Sequence, residues 1–88
     1  MLDATKSSAT DRIAALVAQL LAKRGIDAKV GRDEDLSESG LSSLDTVNLM
    51  LAVEAEFDVK IPDRDMTPAN FRTIARIDAL VGALLAKA

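Results

Sequence analysis

The sequence predicts an all-α fold: a small four-helix bundle with a long loop between its first and second helices and a short third helix. Three observations support this. Apolar residues recur at helical spacing in three separate stretches. No stretch alternates apolar and polar residues as a half-buried strand would, and no segment repeats. The chain has 88 residues, enough for one hydrophobic core and no more. Phe57 and Phe71 are its only aromatic residues, so that core must be built of Leu, Ile, Val, Met and Ala.

The first predicted helix runs from about Ala9 to Arg24. Ser8 and Asp11 have capping-box spacing, with Asp in place of Glu. Ile13, Leu16, Val17, Leu20 and Leu21 form its apolar stripe. Lys23 and Arg24 complement the negative end of the helix dipole, and Gly25 is a natural stop. A long loop follows, from residue 25 to 41, which Ile26, Val30, Leu36 and Leu41 can pin to the core. The second helix is expected over Ser43–Phe57, with Ser42 as its cap and Asp45 three residues on. Pro62 biases Ile61 toward an extended conformation beyond that helix. Thr67-Pro68 reads as the cap and first position of a short turn, Thr67–Phe71. The last helix is expected over Thr73–Lys87, with a stripe of Ile74, Ile77, Leu80, Val81, Leu84 and Leu85. Residues 1–8 are expected to be mobile, and residues 9–88 to form a single domain.

The composition excludes several kinds of chemistry. The chain has no Cys and no His, so disulfides, zinc sites, thiol nucleophiles and Ser-His-Asp triads are all ruled out. The formal charge of -3 disfavours nucleic acid, whose phosphates require a basic face. The longest nearly apolar run, Ile13 to Ala22, is interrupted by Gln19 and too short for a bilayer span. No basic-then-apolar leader opens the chain, and a cytoplasmic monomer is expected.

On a helical wheel the second helix carries two apolar groups. Leu49, Met50, Val53 and Phe57 gather on one side, and Leu44, Val47, Leu51 and Ala55 on another. One core needs one stripe. The second is either covered by the loop or offered to a partner. From Asp33 to Val59 there are eight carboxylates (Asp33, Glu34, Asp35, Glu38, Asp45, Glu54, Glu56 and Asp58) and no Lys or Arg. An acidic rim around an apolar stripe suits a partner with a basic patch, although a solvated face is the commoner meaning of any single charge.

Ser42 and Ser43 place two hydroxyls at this helix start. One reading is that they simply cap the helix, since helix N-termini favour serine. Alternatively one of them is modified, because free N–H groups and the positive dipole end stabilise an attached phosphate. No His or Cys is present to activate such a serine, so another enzyme must do so.

Gly40-Leu41-Ser42-Ser43-Leu44-Asp45-Thr46-Val47, then Leu49, Val53-Glu54-Ala55-Glu56-Phe57 and Ile61-Pro62-Asp63, resembles the acyl carrier protein family. That family's pattern is roughly G-x-D-S-L-D-x-V, an acidic helix ending E-x-x-F, then I-P. The resemblance implies an acyl-carrier-like bundle bearing a 4′-phosphopantetheine arm. Its serine directly precedes Leu44, which makes Ser43 the implied attachment site and Leu44, Val47, Leu51 and Glu54 the implied partner-docking positions. Three departures stand out. Ser42 replaces the usual Asp, removing a charge otherwise available to a phosphopantetheinyl transferase. Asn48 replaces the usual mid-helix Glu, and Ala55 leaves Glu54 without a neighbouring acid, so the docking face is less acidic. The segment Met66–Ile74 is longer than in fatty-acid carriers. Together with Gly-Leu-Ser-Ser, it looks more like stand-alone carriers loaded with an amino acid by an adenylating ligase.

The function implied is carriage, with no catalytic residues and no metal. A transferase installs the arm from coenzyme A, a ligase that activates an acyl group or amino acid loads its thiol, and downstream enzymes accept the cargo. Tethering keeps that cargo at high effective concentration on each docking. The rival from another class is a cofactor-free acidic helical adaptor, which predicts the same helices but no modification of Ser43. A calcium loop beginning at Asp33, Asp35 and Ser37 fails at Glu38, where glycine is needed, and at Leu44, where Glu is needed.

Overall fold

α1 (Ala9–Lys23) begins the fold in the computed structural model, which describes residues 8–27 and 29–87. The expected mobile segment 1–8 lies outside the described residues except for Ser8. The Ser8 hydroxyl accepts the Asp11 N–H at 3.1 Å and caps the helix, as its spacing predicts. Ile13, Val17 and Leu21 bury one face of α1. Arg24 is the C-cap, and Gly25 turns the chain with φ 77.

The connection that follows contains a single helical turn, α2 (Leu36–Ser39), which four residues are too few to reveal by periodicity. Asp35 caps it by accepting the N–H groups of Ser37 and Glu38. The loop is tied to the body of the protein from several sides. Leu36 and Leu41 are buried, and Ile26 and Val30 pack half-buried against the core. Leu36 N–H donates to the Arg72 carbonyl at 2.8 Å, and Ala75 N–H donates to the Arg32 carbonyl at 2.9 Å. Gly40 closes α2 with φ 124, and a Cβ there would lie 2.5 Å from the Ile26 Cδ1. A side chain at this position would meet both the left-handed backbone and the packed Ile26.

α3 (Ser43–Phe57) buries Leu49, Met50, Val53 and Phe57. Asp58 ends it in a left-handed conformation, φ 53. Two 3-10 turns follow, Asp63–Asp65 and Ala69–Phe71. The second is the short third helix expected over Thr67–Phe71, and it drives Phe71 into the core. α4 (Ile74–Lys87) buries Ile74, Ile77 and Val81, with Leu80 and Leu84 packed against them. α1 packs against both α3 and α4, so a single core runs from Ile13 to Val81. Among the described residues there is no strand. None of their helices is long and apolar enough to cross a membrane.

Candidate functional site

The start of α3 is organised by its two adjacent serines, which have different work. Ser42 is the N-cap. Its hydroxyl accepts the Asp45 N–H at 3.1 Å, while its own N–H donates to the Asp45 carboxylate at 2.9 Å. This is a complete capping box, and it satisfies two groups that a helix start otherwise leaves unpaired. The Ser42 carbonyl accepts from both the N–H and the hydroxyl of Thr46. Ser43 is the first residue of the helix itself. Its side chain is exposed and takes part in none of these bonds.

Arg24 braces the box from α1. Its Nε donates to the Asp45 carboxylate, and its Nη2 donates to the Ser42 hydroxyl at 3.1 Å. Asp45 is 9% exposed, the one buried charged residue in the described core. The Ser42 N–H foremost, and then the Arg24 guanidinium, hold its carboxyl below the usual aspartate value. The sequence alone assigned Arg24 only to the dipole of α1. Nothing in its spacing from Asp45 announces the pair, which forms because α1 and α3 pack side by side.

Two clefts flank Ser43 and differ in chemistry. One, of about 200 Å³, is the more polar, with Leu41, Pro68 and Phe71 as its apolar walls. Asp35, Ser37, Ser42, Ser43, Thr46 and Arg72 supply its polar side chains. The other, of about 410 Å³, is apolar, formed by Val47, Met50, Met66 and Pro68 together with Ser43 and Thr46. In the polar cleft the Asp35 carboxyl is held below its usual value, chiefly by the Ser37 hydroxyl, which donates to it at 2.6 Å, and next by the Glu38 N–H. Sequence patterning did not foresee Arg72 here, because it comes from the turn before α4 and reaches the site only through the tertiary fold.

The remaining expected site residues divide. Leu44, Val47 and Leu51 are 68%, 48% and 55% exposed and form an apolar strip along the outer face of α3. Of the alternatives that the helical wheel left open, a strip covered by the loop is therefore excluded. Glu54 is half-buried, and its carboxylate accepts the Ile61 N–H at 2.7 Å. It holds the following turn against α3 and stands at the edge of the strip, not on its crest.

A 15-residue helix that begins at an exposed serine, with a polar cleft beside it, is a fitting place for a phosphate-linked group. Comparison with known proteins gives that geometry a context. Residues 11–81 match a family model described as the phosphopantetheine attachment site. Over 80 residues the chain is 39% identical to aminoacyl carrier protein 1 of Bradyrhizobium diazoefficiens, covering 91% of this chain and 89% of that one. Among solved structures it resembles a chain in Bradyrhizobium japonicum glycine:[carrier protein] ligase complexed with its cognate carrier protein and an analogue of glycyl adenylate. There the TM-score is 0.77 at 36% identity, with 85% of this chain and 96% of that chain covered. A second complex of that ligase, with glycylated carrier protein, gives 0.75 at 36% identity, covering 82% and 96%.

Proposed function

The chain belongs to the phosphopantetheine-binding carrier family, in the aminoacyl carrier group, and from that premise we propose that Ser43 bears the arm and an adenylating amino acid ligase loads it. Its cofactor is covalent 4′-phosphopantetheine, and it is a carrier of aminoacyl groups, not an enzyme. The cofactor-free adaptor therefore gives way to the carrier. Residues 9–88 act as one carrier domain, with the cytoplasm as their setting.

The observation that carries the assignment of Ser43 is the division of labour at the helix start. Ser42 is consumed by the capping box and Arg24, whereas the neighbouring Ser43 is exposed. Modifying Ser42 would break the cap, and modifying Ser43 leaves it in place. When bound, the arm supplies a thiol that holds cargo as a thioester. The chain's own residues do the rest. Ser43 provides the hydroxyl that becomes the phosphodiester oxygen. The α3 N-terminus presents N–H groups and a positive dipole to the charge placed there. Leu44, Val47 and Leu51, with Glu54 at their edge, offer the ligase, the phosphopantetheinyl transferase and downstream acceptors a small apolar strip for weak, reversible docking.

The relatives in the solved complexes are paired with a glycine ligase, which supports a small amino acid as the cargo. Intact mass after incubation with coenzyme A and a broad-specificity phosphopantetheinyl transferase tests the site. The expected gain is one phosphopantetheine, retained in Ser42→Ala and lost in Ser43→Ala. Retention of the gain in Ser43→Ala would overturn the assignment. ATP-dependent loading of the holo protein across a panel of amino acids then reads the cargo.

A further inference from the structure

Three arginines of this protein have carboxylate partners: Arg12 with Glu56, Arg24 with Asp45 and Arg32 with Asp78. Arg72 differs. Its backbone is held from both sides, its N–H donating to the Ala69 carbonyl and its carbonyl accepting the Leu36 N–H. Exposed Arg72 lines the same cleft as Ser43. The carboxylate in that cleft, Asp35, accepts the Ser37 N–H, the Ser37 hydroxyl and the Glu38 N–H, all on Oδ1. Asp35 feels the positive charge of Arg72, but no direct ion pair joins the two, so the cation keeps its donors for a further anion in the cleft.

The start of α3 adds donors to the same place. The Asp45 N–H is taken by the Ser42 hydroxyl and the Thr46 N–H by the Ser42 carbonyl. The N–H groups of Ser43 and Leu44 come earlier in the helix, where no carbonyl of the same helix can reach them. A phosphate diester formed on Ser43 carries one negative charge. Guanidinium is the side chain best matched to its oxygens, offering two parallel N–H donors.

We propose that Arg72 is a positioning residue for the prosthetic group, pairing with the phosphodiester at Ser43 from across the polar cleft. The inference rests on the attachment at Ser43 proposed above. It assigns to the turn before α4 a role distinct from the docking strip on α3. Arg72 would order the root of the arm and leave partner choice to Leu44, Val47 and Leu51.

The test is 31P NMR of the holo protein, with a 4′-phosphopantetheinylated serine peptide as the unpaired reference. In the unsubstituted protein the phosphodiester resonance is expected to differ from the peptide's and to move toward it as salt screens the pair. In Arg72→Gln it should lie closer to the peptide position and lose most of its salt dependence. Arg72→Lys should fall between the two. Arg76→Gln, which removes an exposed arginine outside the cleft, should match the unsubstituted protein. Thermal melts of the apo forms check that the fold is kept, and if Arg72→Gln resists loading, Arg72→Lys gives the same readout. An Arg72 variant with the unsubstituted protein's shift and salt response would overturn the proposal. Failure of the Ser43 assignment would appear separately, as mass gain persisting in Ser43→Ala.

Discussion

The two faces of α3 carry similar side chains and meet opposite surroundings. Leu49, Met50, Val53 and Phe57 lie in the core on the side that packs against α1, while Leu44, Val47 and Leu51 stand in solvent one helix width away. A protein this small gains stability from every apolar group it can bury. Leaving three branched aliphatics exposed on one strip therefore forgoes stability, and the strip is the part of α3 best explained by a partner. The inner face holds the fold, and the outer face is the one proposed to meet other proteins.

The sharpest way to break this contrast is to truncate one leucine from each face. Leu49→Ala should cost about 2–5 kcal/mol through lost burial and the cavity left behind. In a domain of this size that lowers the Tm by roughly 8–40 °C, at about 4–8 °C per kcal/mol. Leu51→Ala should stay within about 0.5 kcal/mol. Chemical denaturation measures both. Equal losses would mean that the outer strip is not free.

Loading kinetics reverse the order. With the ligase that charges this carrier, Leu44→Ala or Leu51→Ala should lower kcat/KM by roughly tenfold, about 1.4 kcal/mol, with the Tm unchanged. Unaltered kcat/KM in both would remove the strip from recognition. Glu54 lies where the two faces meet and sharpens the comparison. Glu54→Ala should cost about 1 kcal/mol of stability, because the Ile61 N–H loses its acceptor. A loading defect without that loss would make Glu54 a docking residue alone.

The smallest expected effect concerns pH. Asp45 and Asp35 both titrate below the usual aspartate value of 3.8 in the folded protein. Their contribution is complete above that value and is lost as pH falls through it toward the folded-state values. Stability should therefore decline on acidification below about pH 4. Asp45→Asn should be less stable than the parent at neutral pH and converge with it in acid. Parallel curves across that range would show that Asp45 contributes nothing through its charge.

Much of this protein was legible in its residues. Caps at Ser8 and Ser42, the stop at Gly25 and the 3.6-residue stripes are local features, governed by neighbours within a turn or two, and α1, α3 and α4 follow from them. Gly40 through Asp63 carried the family resemblance, because its serine, helix and Ile-Pro are contiguous. The single turn of α2 was not visible, since four residues hold no period. Two apolar stripes on α3 were equally apolar in the sequence, and only packing against α1 and the rest of the core decided which one is buried. Asp45 could be read as a cap partner but not as the acceptor of Arg24, and Arg72 could not be read as a neighbour of Ser43. Both pairings join residues more than twenty positions apart, and no local spacing encodes them. They exist because the core draws the ends of separate elements to one place.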